Sequence, residues 1–269
     1  MKNYFTLLIF IIATCLTQSC KKDSDNIYGL EPNYEQDLVN HALRLKGKLI
    51  EGNIPAPTGT NAPIIVGYPS AVQVSAGVVL FIPYQISNPQ QACKLYLQVE
   101  GSKSYWDAQI VTDSFTNGTY LEILIPNFVQ NGNFNLRYAV ADCSGNVSTY
   151  VSTNTIVTPP LGCGDVAEGS VGITVLHFTL GNKSGAVRVN YDMYTIPDRL
   201  DVRYNNVWIG STGTMLNNAA QGPQCGLDGF VSSNNNFTFN YNPSNGKDLS
   251  VYVSGCNSGT AWTVSVDCP

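Results

Sequence analysis

An all-β chain built as two β-sandwiches in tandem is predicted by this 269-residue sequence, on three observations. From Pro63 onward, short runs that alternate apolar and polar residues are separated by Gly, Pro and Asn, with no apolar periodicity of helix length. These runs fall into two sets of about 100 residues on either side of the linker TPPLG, and about 100 residues is the size of one sandwich. The cysteines also divide evenly, two in the first set and four in the second, as in exported domains stapled by disulfides. The divisions are residues 1–19, a signal peptide; 20–60, a tether and lead-in with a short helix; 61–160, the first sandwich; and 161–269, the second.

The leader is MKNYFTLLIFIIATCLTQSC, in which Lys2 precedes an apolar stretch from Phe5 to about Leu16. That stretch falls short of the roughly 20 residues that a spanning helix needs, so it reads as a cleaved export signal. Ser19 directly before Cys20 resembles a bacterial lipoprotein lipobox, with Thr17 and Leu16 where the family usually places one aliphatic residue. The resemblance implies that Cys20 is diacylated, palmitate being one such acyl group, and that the chain is cut before it. Several chains at about 0.8 kcal/mol per buried methylene would make the anchor permanent. Cys15, preceded by Ile12-Ala13-Thr14, is a competing site inside the apolar run. The tag Lys21-Lys22-Asp23-Ser24-Asp25 is similar to those of Bacteroidota lipoproteins on the outer face of the outer membrane, which implies a lipid-anchored, surface-exposed location.

Removing residues 1–19 leaves 250, and takes away only one charge, that of Lys2. The remainder carries 13 basic and 19 acidic side chains, a formal charge of −6. Such a surface repels nucleic acid and anionic headgroups, so the expected partners are the membrane through the lipid anchor and a polysaccharide or surface protein. No CxxC or zinc-type Cys/His spacing occurs among the six downstream cysteines, which points to disulfides rather than metal.

In the lead-in, YEQDLVNHALRLKGK places Leu38, Ala42 and Leu45 at helical spacing, with His41 as a solvated residue of that helix. Gly52, Pro55, Pro57 and Gly59 then break regular structure. In the first sandwich the strand candidates are VVLFIPYQI, CKLYLQVEG, TYLEILIPN, NFNLRYAVAD and NVSTYVSTNTIV. Cys93, Leu95, Leu97 and Val99 share one face, as do Phe134, Leu136, Tyr138 and Val140. The run YAVADCSGNVS, with Asp142 and Gly145-Asn146 at its turn, is similar to the late-strand hairpin of immunoglobulin-like and fibronectin-like domains. Cys93 and Cys143 are the only cysteines in this half and are paired, a closure that contributes about 4 kcal/mol in the chain-entropy model.

The second half offers SVGITVLHFTL, GAVRVNYDMY, RLDVRYNNVWIG, FTFNYNP, DLSVYVSG and TAWTVSVDC. Leu200, Val202 and Tyr204 face one way while Arg199, Asp201 and Arg203 form a charged row on the other. Asn205-Asn206 suits a tight hairpin because Asn tolerates positive φ. GAVRVNYDMYTIPDRLDVRYNNVWIGSTG and GTAWTVSVDCP resemble a carboxy-terminal β-sandwich module of secreted and surface proteins of bacteria, which implies architecture and no chemistry. Two pairings of its cysteines are open: Cys163 with Cys268 and Cys225 with Cys256, which staples first strand to last, or Cys163 with Cys225 and Cys256 with Cys268.

Catalytic residues are not expected. A serine-type triad needs a histidine, and only His41 and His177 exist, the latter alternating with apolar neighbours in ITVLHFTL. No GxSxG, HExxH or phosphate loop is present. Two carboxylates suffice for a glycosidase, yet the clustered acids Asp192, Asp198 and Asp201 have turn-capping and ion-pairing explanations. The same explanations stand against a calcium site on Asp192 and Asp198, so no metal or cofactor is expected. Tyr105-Trp106, followed by Asp107, is the candidate glycan-binding pair, whereas Trp262 reads as core and Trp208 as ambiguous. Two functions fit: a non-enzymatic adhesion or scaffold lipoprotein, and a glycan-binding accessory lipoprotein of a polysaccharide-uptake system.

Overall fold

The computed structural model describes residues 47–59, 61–110, 119–127, 131–216, 219–220 and 225–269, with single positions at 35, 38, 39, 45 and 129. The signal peptide, Cys15, Cys20 and His41 lie outside the described residues. In chain order the first half carries β1 (Gly47–Glu51), β2 (Ile65–Gly67), β3 (Ala71–Ser75), β4 (Val79–Ile86) and β5 (Ala92–Val99). It continues with β6 (Ser104–Ala108), β7 (Thr119–Leu124), β8 (Gly132–Asp142) and β9 (Val151–Thr158). The second half carries β10 (Leu161–Gly162), β11 (Val166–Gly169), β12 (Gly172–Thr179), β13 (Gly185–Asp192), β14 (Arg199–Tyr204) and β15 (Val207–Ser211). After the two-residue strands β16 (Met215–Leu216) and β17 (Ala219–Ala220) come β18 (Asn234–Tyr241), β19 (Asp248–Gly255) and β20 (Trp262–Asp267).

The chain is all-β, with two sandwiches in tandem. One long sheet runs in the order β1-β6-β5-β8-β9-β3-β12-β19-β14-β15 and supplies a layer to both halves. The sheet β2-β4-β7 covers its first part, and β11-β20-β13-β18 covers its second. The alternation read in β5 and β8 is what fills the first core: Leu95, Leu97, Val99, Phe134, Leu136, Tyr138 and Val140 are all buried in it. In the second core Trp262, Val264 and Val266 of β20 meet Leu200, Val202 and Tyr204 of β14. Asn205 and Asn206 sit at φ of 48° and 62°, forming the two-residue turn that pairs Tyr204 with Val207.

The two halves are joined by hydrogen bonding rather than only by a linker. Strand β3 lies between β9 and β12 and is parallel to both. The next strand pair in the long sheet, β12 and β19, is therefore buried on both faces. Leu176, Phe178, Leu249, Val251 and Val253 enter the second core, while Ile173, Val175 and Tyr252 enter the first. The Tyr252 hydroxyl donates to the Val79 carbonyl at 2.7 Å, and burial pushes its pKa up to about 12.

The lead-in is more ordered than its Gly and Pro content predicts. Glu35, Leu38 and Val39 have helical backbone, and Leu38 and Val39 are fully buried in the first core. Gly47–Glu51, a segment too short and too charged to read as a strand, pairs with β6 at the edge of the long sheet. Ile54 then plugs a small cluster with Tyr96, Tyr105, Ala139, Ala141 and Val147. Its neighbours are fixed by Gln98, whose amide donates to Gly52 O, Asn53 Oδ1 and Ser102 O.

Candidate functional site

The aromatic pair singled out in the sequence does not form a shared platform. Tyr105 and Trp106 are adjacent in β6, so the pleat sends them to opposite faces. Tyr105 is 9% exposed and packs edge-to-face on Tyr96, with ring centroids 5.8 Å apart. Trp106, half-buried against the first core, donates its indole N–H to the Val39 carbonyl at 3.1 Å. Asp107 is occupied by Lys94 at 2.9 Å.

The sulfur pairs are Cys93–Cys143, Cys163–Cys268 and Cys225–Cys256, with Cα separations of 5.1, 5.6 and 5.7 Å. Of the two pairings open for the second half, this is the one that staples the module's first and last segments.

Histidine 177 is a structural clip between the halves. Its Nδ1 lies 2.6 Å from the Ala76 carbonyl, and its Nε2 lies 2.8 Å from Asp248 Oδ1. The acids behave likewise. Asp201 and Arg199 are both fully buried, and the guanidinium is held bidentately by Nε–H to Oδ2 at 3.0 Å and Nη2–H to Oδ1 at 2.9 Å. Arg199 also donates to Ser211 Oγ, to the Asp228 carbonyl and to Asp228 Oδ1, so all five of its N–H donors are used. Asp228 further accepts from the Thr214 hydroxyl and backbone N–H, contacts that hold its carboxyl below the usual range. Arg203, third in the row, lies over Phe81 and Trp208, 5.5 and 5.6 Å from the ring centroids. The charged row of β14 is thus covered by Phe81 of the first half and by Ser211 and Asp228, where the sequence alone gave no sign of a cover.

Asp192 and Asp198 do not converge on a cation. Asp192 Oδ1 accepts the Tyr194 backbone N–H at 2.9 Å, a turn cap. Asp198 is fully buried, accepts from Thr260 Oγ1 at 2.5 Å, and leaves Oδ1 without a hydrogen-bond partner. Burial raises its pKa, against the Thr260 hydrogen bond. Among the described residues no group of three or more His, Cys, Asp or Glu is placed to hold a metal ion.

A shallow depression of about 360 Å³ is lined by Glu168, Gly169, Tyr194, Ala261, Trp262 and Thr263. Its floor follows from Gly169: a Cβ there would fall 2.0 Å from Trp262 Cζ2, so only glycine lets the indole lie beneath the strand. Trp262 is 1% exposed and is fixed by its N–H to the Ser170 carbonyl at 3.2 Å. The wall is Tyr194, 47% exposed and held at φ +43°, a conformation that bulky residues rarely adopt. Strand register aligns Glu168, Thr263 and Asp192 side by side across β11, β20 and β13. Ala167, Trp262 and Val264 point into the core, so Glu168 and Thr263 point outward. Sequence reasoning missed Tyr194 because nothing in DMYTIPD marks the tyrosine, rather than the proline, as the special backbone position.

No protein-family model and no curated protein matches the chain. Among solved structures, it is similar to the pre-peptidase C-terminal domain of collagenase from Bacillus anthracis, at 16% identity and a TM-score of 0.28 over 40% of this chain and 91% of that one. The fibronectin(III)-like modules of Clostridium thermocellum CbhA align at 13% identity and a TM-score of 0.26, over 64% and 76% of the two chains. A Bacteroides ovatus protein of a mixed-linkage glucan utilization locus, SGBP-B in complex with a heptasaccharide, aligns at 11% identity and a TM-score of 0.20, over 71% of each chain. The heptasaccharide belongs to that protein, and the site described above rests on this chain's own residues.

Proposed function

We propose that this protein is a non-catalytic binding or scaffold protein held at a bacterial outer membrane by a lipid on Cys20. The observation that carries the reading is the single long sheet shared by both sandwiches. It supports a body that presents its outer surfaces at fixed relative positions, which a scaffold or adhesin needs. The polar clusters of the described residues fit the same reading, since His177, Arg199 and Asp201 are each engaged in tying segments together.

Two measurements test this. Palmitate labelling and membrane fractionation of the parent and Cys20→Ala forms should show label and detergent-dependent extraction only in the parent. Labelling that survives Cys20→Ala would overturn the anchor. The full chain, displayed on beads, should then retain at least one member of a panel of purified cell-surface polysaccharides and envelope proteins, without turnover. Release of reducing sugar or peptide would overturn the non-catalytic reading, and retention of none would overturn the binding reading.

A further inference from the structure

Tyr194 combines three properties that structural packing does not require of a surface residue. Its ring is about half exposed, its backbone is held in the left-handed region by the Asp192 cap, and it walls the depression beside Gly169 and Trp262. Strained backbone at a bulky side chain costs free energy and concentrates at ligand clamps, so the outlier itself points to a use. The rim beside it is polar, with the Glu168 carboxylate and the Thr263 hydroxyl at the depression and Asp192 next in the same cross-strand row.

We propose that this depression is a glycan-binding site, in which Tyr194 stacks on one sugar ring of a neutral polysaccharide while Glu168 and Thr263 hydrogen-bond its hydroxyls. The proposal rests on the binding reading above and names its ligand class. A pyranose offers polarised C–H groups on one face, which suit the negative face of an aromatic ring, and vicinal hydroxyls at its edge, which suit a carboxylate and a hydroxyl. The two acids of the row and the net negative charge of the chain select against uronic acids and sulfated sugars. A shallow, open depression suits a chain passing across it better than a free monosaccharide, which gains its affinity by being enclosed. A protein partner would instead favour a broad apolar surface, and the rim here is acid and hydroxyl.

The test is affinity electrophoresis of the detergent-solubilised full chain through gels containing a β-glucan, a xylan, a galactomannan or an α-glucan, with parallel thermal unfolding. At least one polysaccharide should retard the parent. Tyr194→Ala should lower that affinity by about tenfold, the scale of one aromatic contact, with the melting temperature unchanged. Glu168→Gln, exposed and outside both cores, should weaken retardation too, and it keeps the test open if Tyr194→Ala fails to fold. Equal retardation of parent and both variants would overturn the site while leaving the binding reading intact. Retardation by none of the four would overturn the glycan assignment, and the bead-retention result for envelope proteins then decides separately whether the chain is a binding protein.

Discussion

Replacing Arg199 by methionine should be among the most damaging single changes in the second half. The guanidinium donates five hydrogen bonds and, among the described residues, is the one cation paired with Asp201, which is itself fully buried. Methionine fills similar space, so the loss is electrostatic: Asp201 keeps the Ser211 hydroxyl, at 2.6 Å, and Asp228 loses its bonds to β14. Breaking one side of a buried pair costs about 3–5 kcal/mol. In a domain of this size each kcal/mol moves the melting temperature by about 2–4 °C, so a fall on the order of 10 °C is expected by calorimetry. The double variant Arg199→Met/Asp201→Leu should recover much of this, because no charge is left stranded. Burial, with the nearby Asp228 charge, pushes the Asp201 carboxyl up, and without Arg199 the Ser211 hydroxyl is left to oppose it. The single variant should therefore regain stability as pH falls, since a group whose folded-state pKa is raised stabilises when protonated and loses that contribution as pH rises. A loss under about 1 kcal/mol for Arg199→Met, or a double variant worse than the single, would refute the buried-pair account.

Trp106→Ala should lower the melting temperature, with a loss of about 2–3 kcal/mol, somewhat under the 3–5 of a wholly buried tryptophan, because the ring is half-buried and bonded to Val39; an unchanged transition would return it to the solvent face. Non-reducing mass mapping should find three bridges and no free thiol among the six downstream cysteines. Opening Cys163–Cys268 should cost about 1 kcal/mol more than opening Cys225–Cys256, since their loops span 105 and 31 residues. Asp198 holds its proton more tightly folded than unfolded, so its contribution is present below the unfolded pKa and fades as pH rises through the raised value. Asp198→Asn should accordingly gain on the parent between acid and neutral pH in urea titrations; a deficit that grows toward neutral pH would contradict the sign.

Strands with sustained apolar alternation and antiparallel partners were legible, even where, as in β5 and β8, the second face is covered by Tyr96, Ala139 and Ala141. β5 and β8 show the period-2 pattern plainly, and the Asn205-Asn206 turn was read from residue type alone. The strands that were missed lack one of those conditions. AVQVS in β3 alternates for only two apolar residues, and its parallel partners β9 and β12 are about 80 and 100 residues away, a pairing with no local signature. β1 has charged residues at two of five positions and takes its identity from β6. The candidate pair Tyr105-Trp106 was separable in principle, because neighbours in a strand cannot share a face; what composition could not supply was that both faces of β6 are covered. Tyr194 is marked only by its positive φ and by its place at the depression, neither of which residue type signals.

The double-sided burial of β14 bears on how such a molecule could display a ligand site. In an ordinary sandwich the strand face away from the core meets water, and a row such as Arg199, Asp201 and Arg203 would be a solvated edge. Here Arg199 and Asp201 are closed off by Ser211 and Asp228 of the same half, while contacts to the first half are directional: Arg203 lies over Phe81, and the Tyr252 hydroxyl of the neighbouring strand donates to Val79. Apolar residues in the same places would pack with comparable or better stability but would accept many orientations, whereas a buried hydrogen bond and a cation–ring contact accept few. The docking of the halves is therefore specified by angle as well as by area. The sheet β11-β20-β13-β18, which carries Glu168 and Thr263 beside Tyr194, lies on the opposite side of the second core from that docking face. A ligand bound there would load the long sheet across the packed second core, and that sheet, hydrogen-bonded from one half into the other, offers no hinge between them.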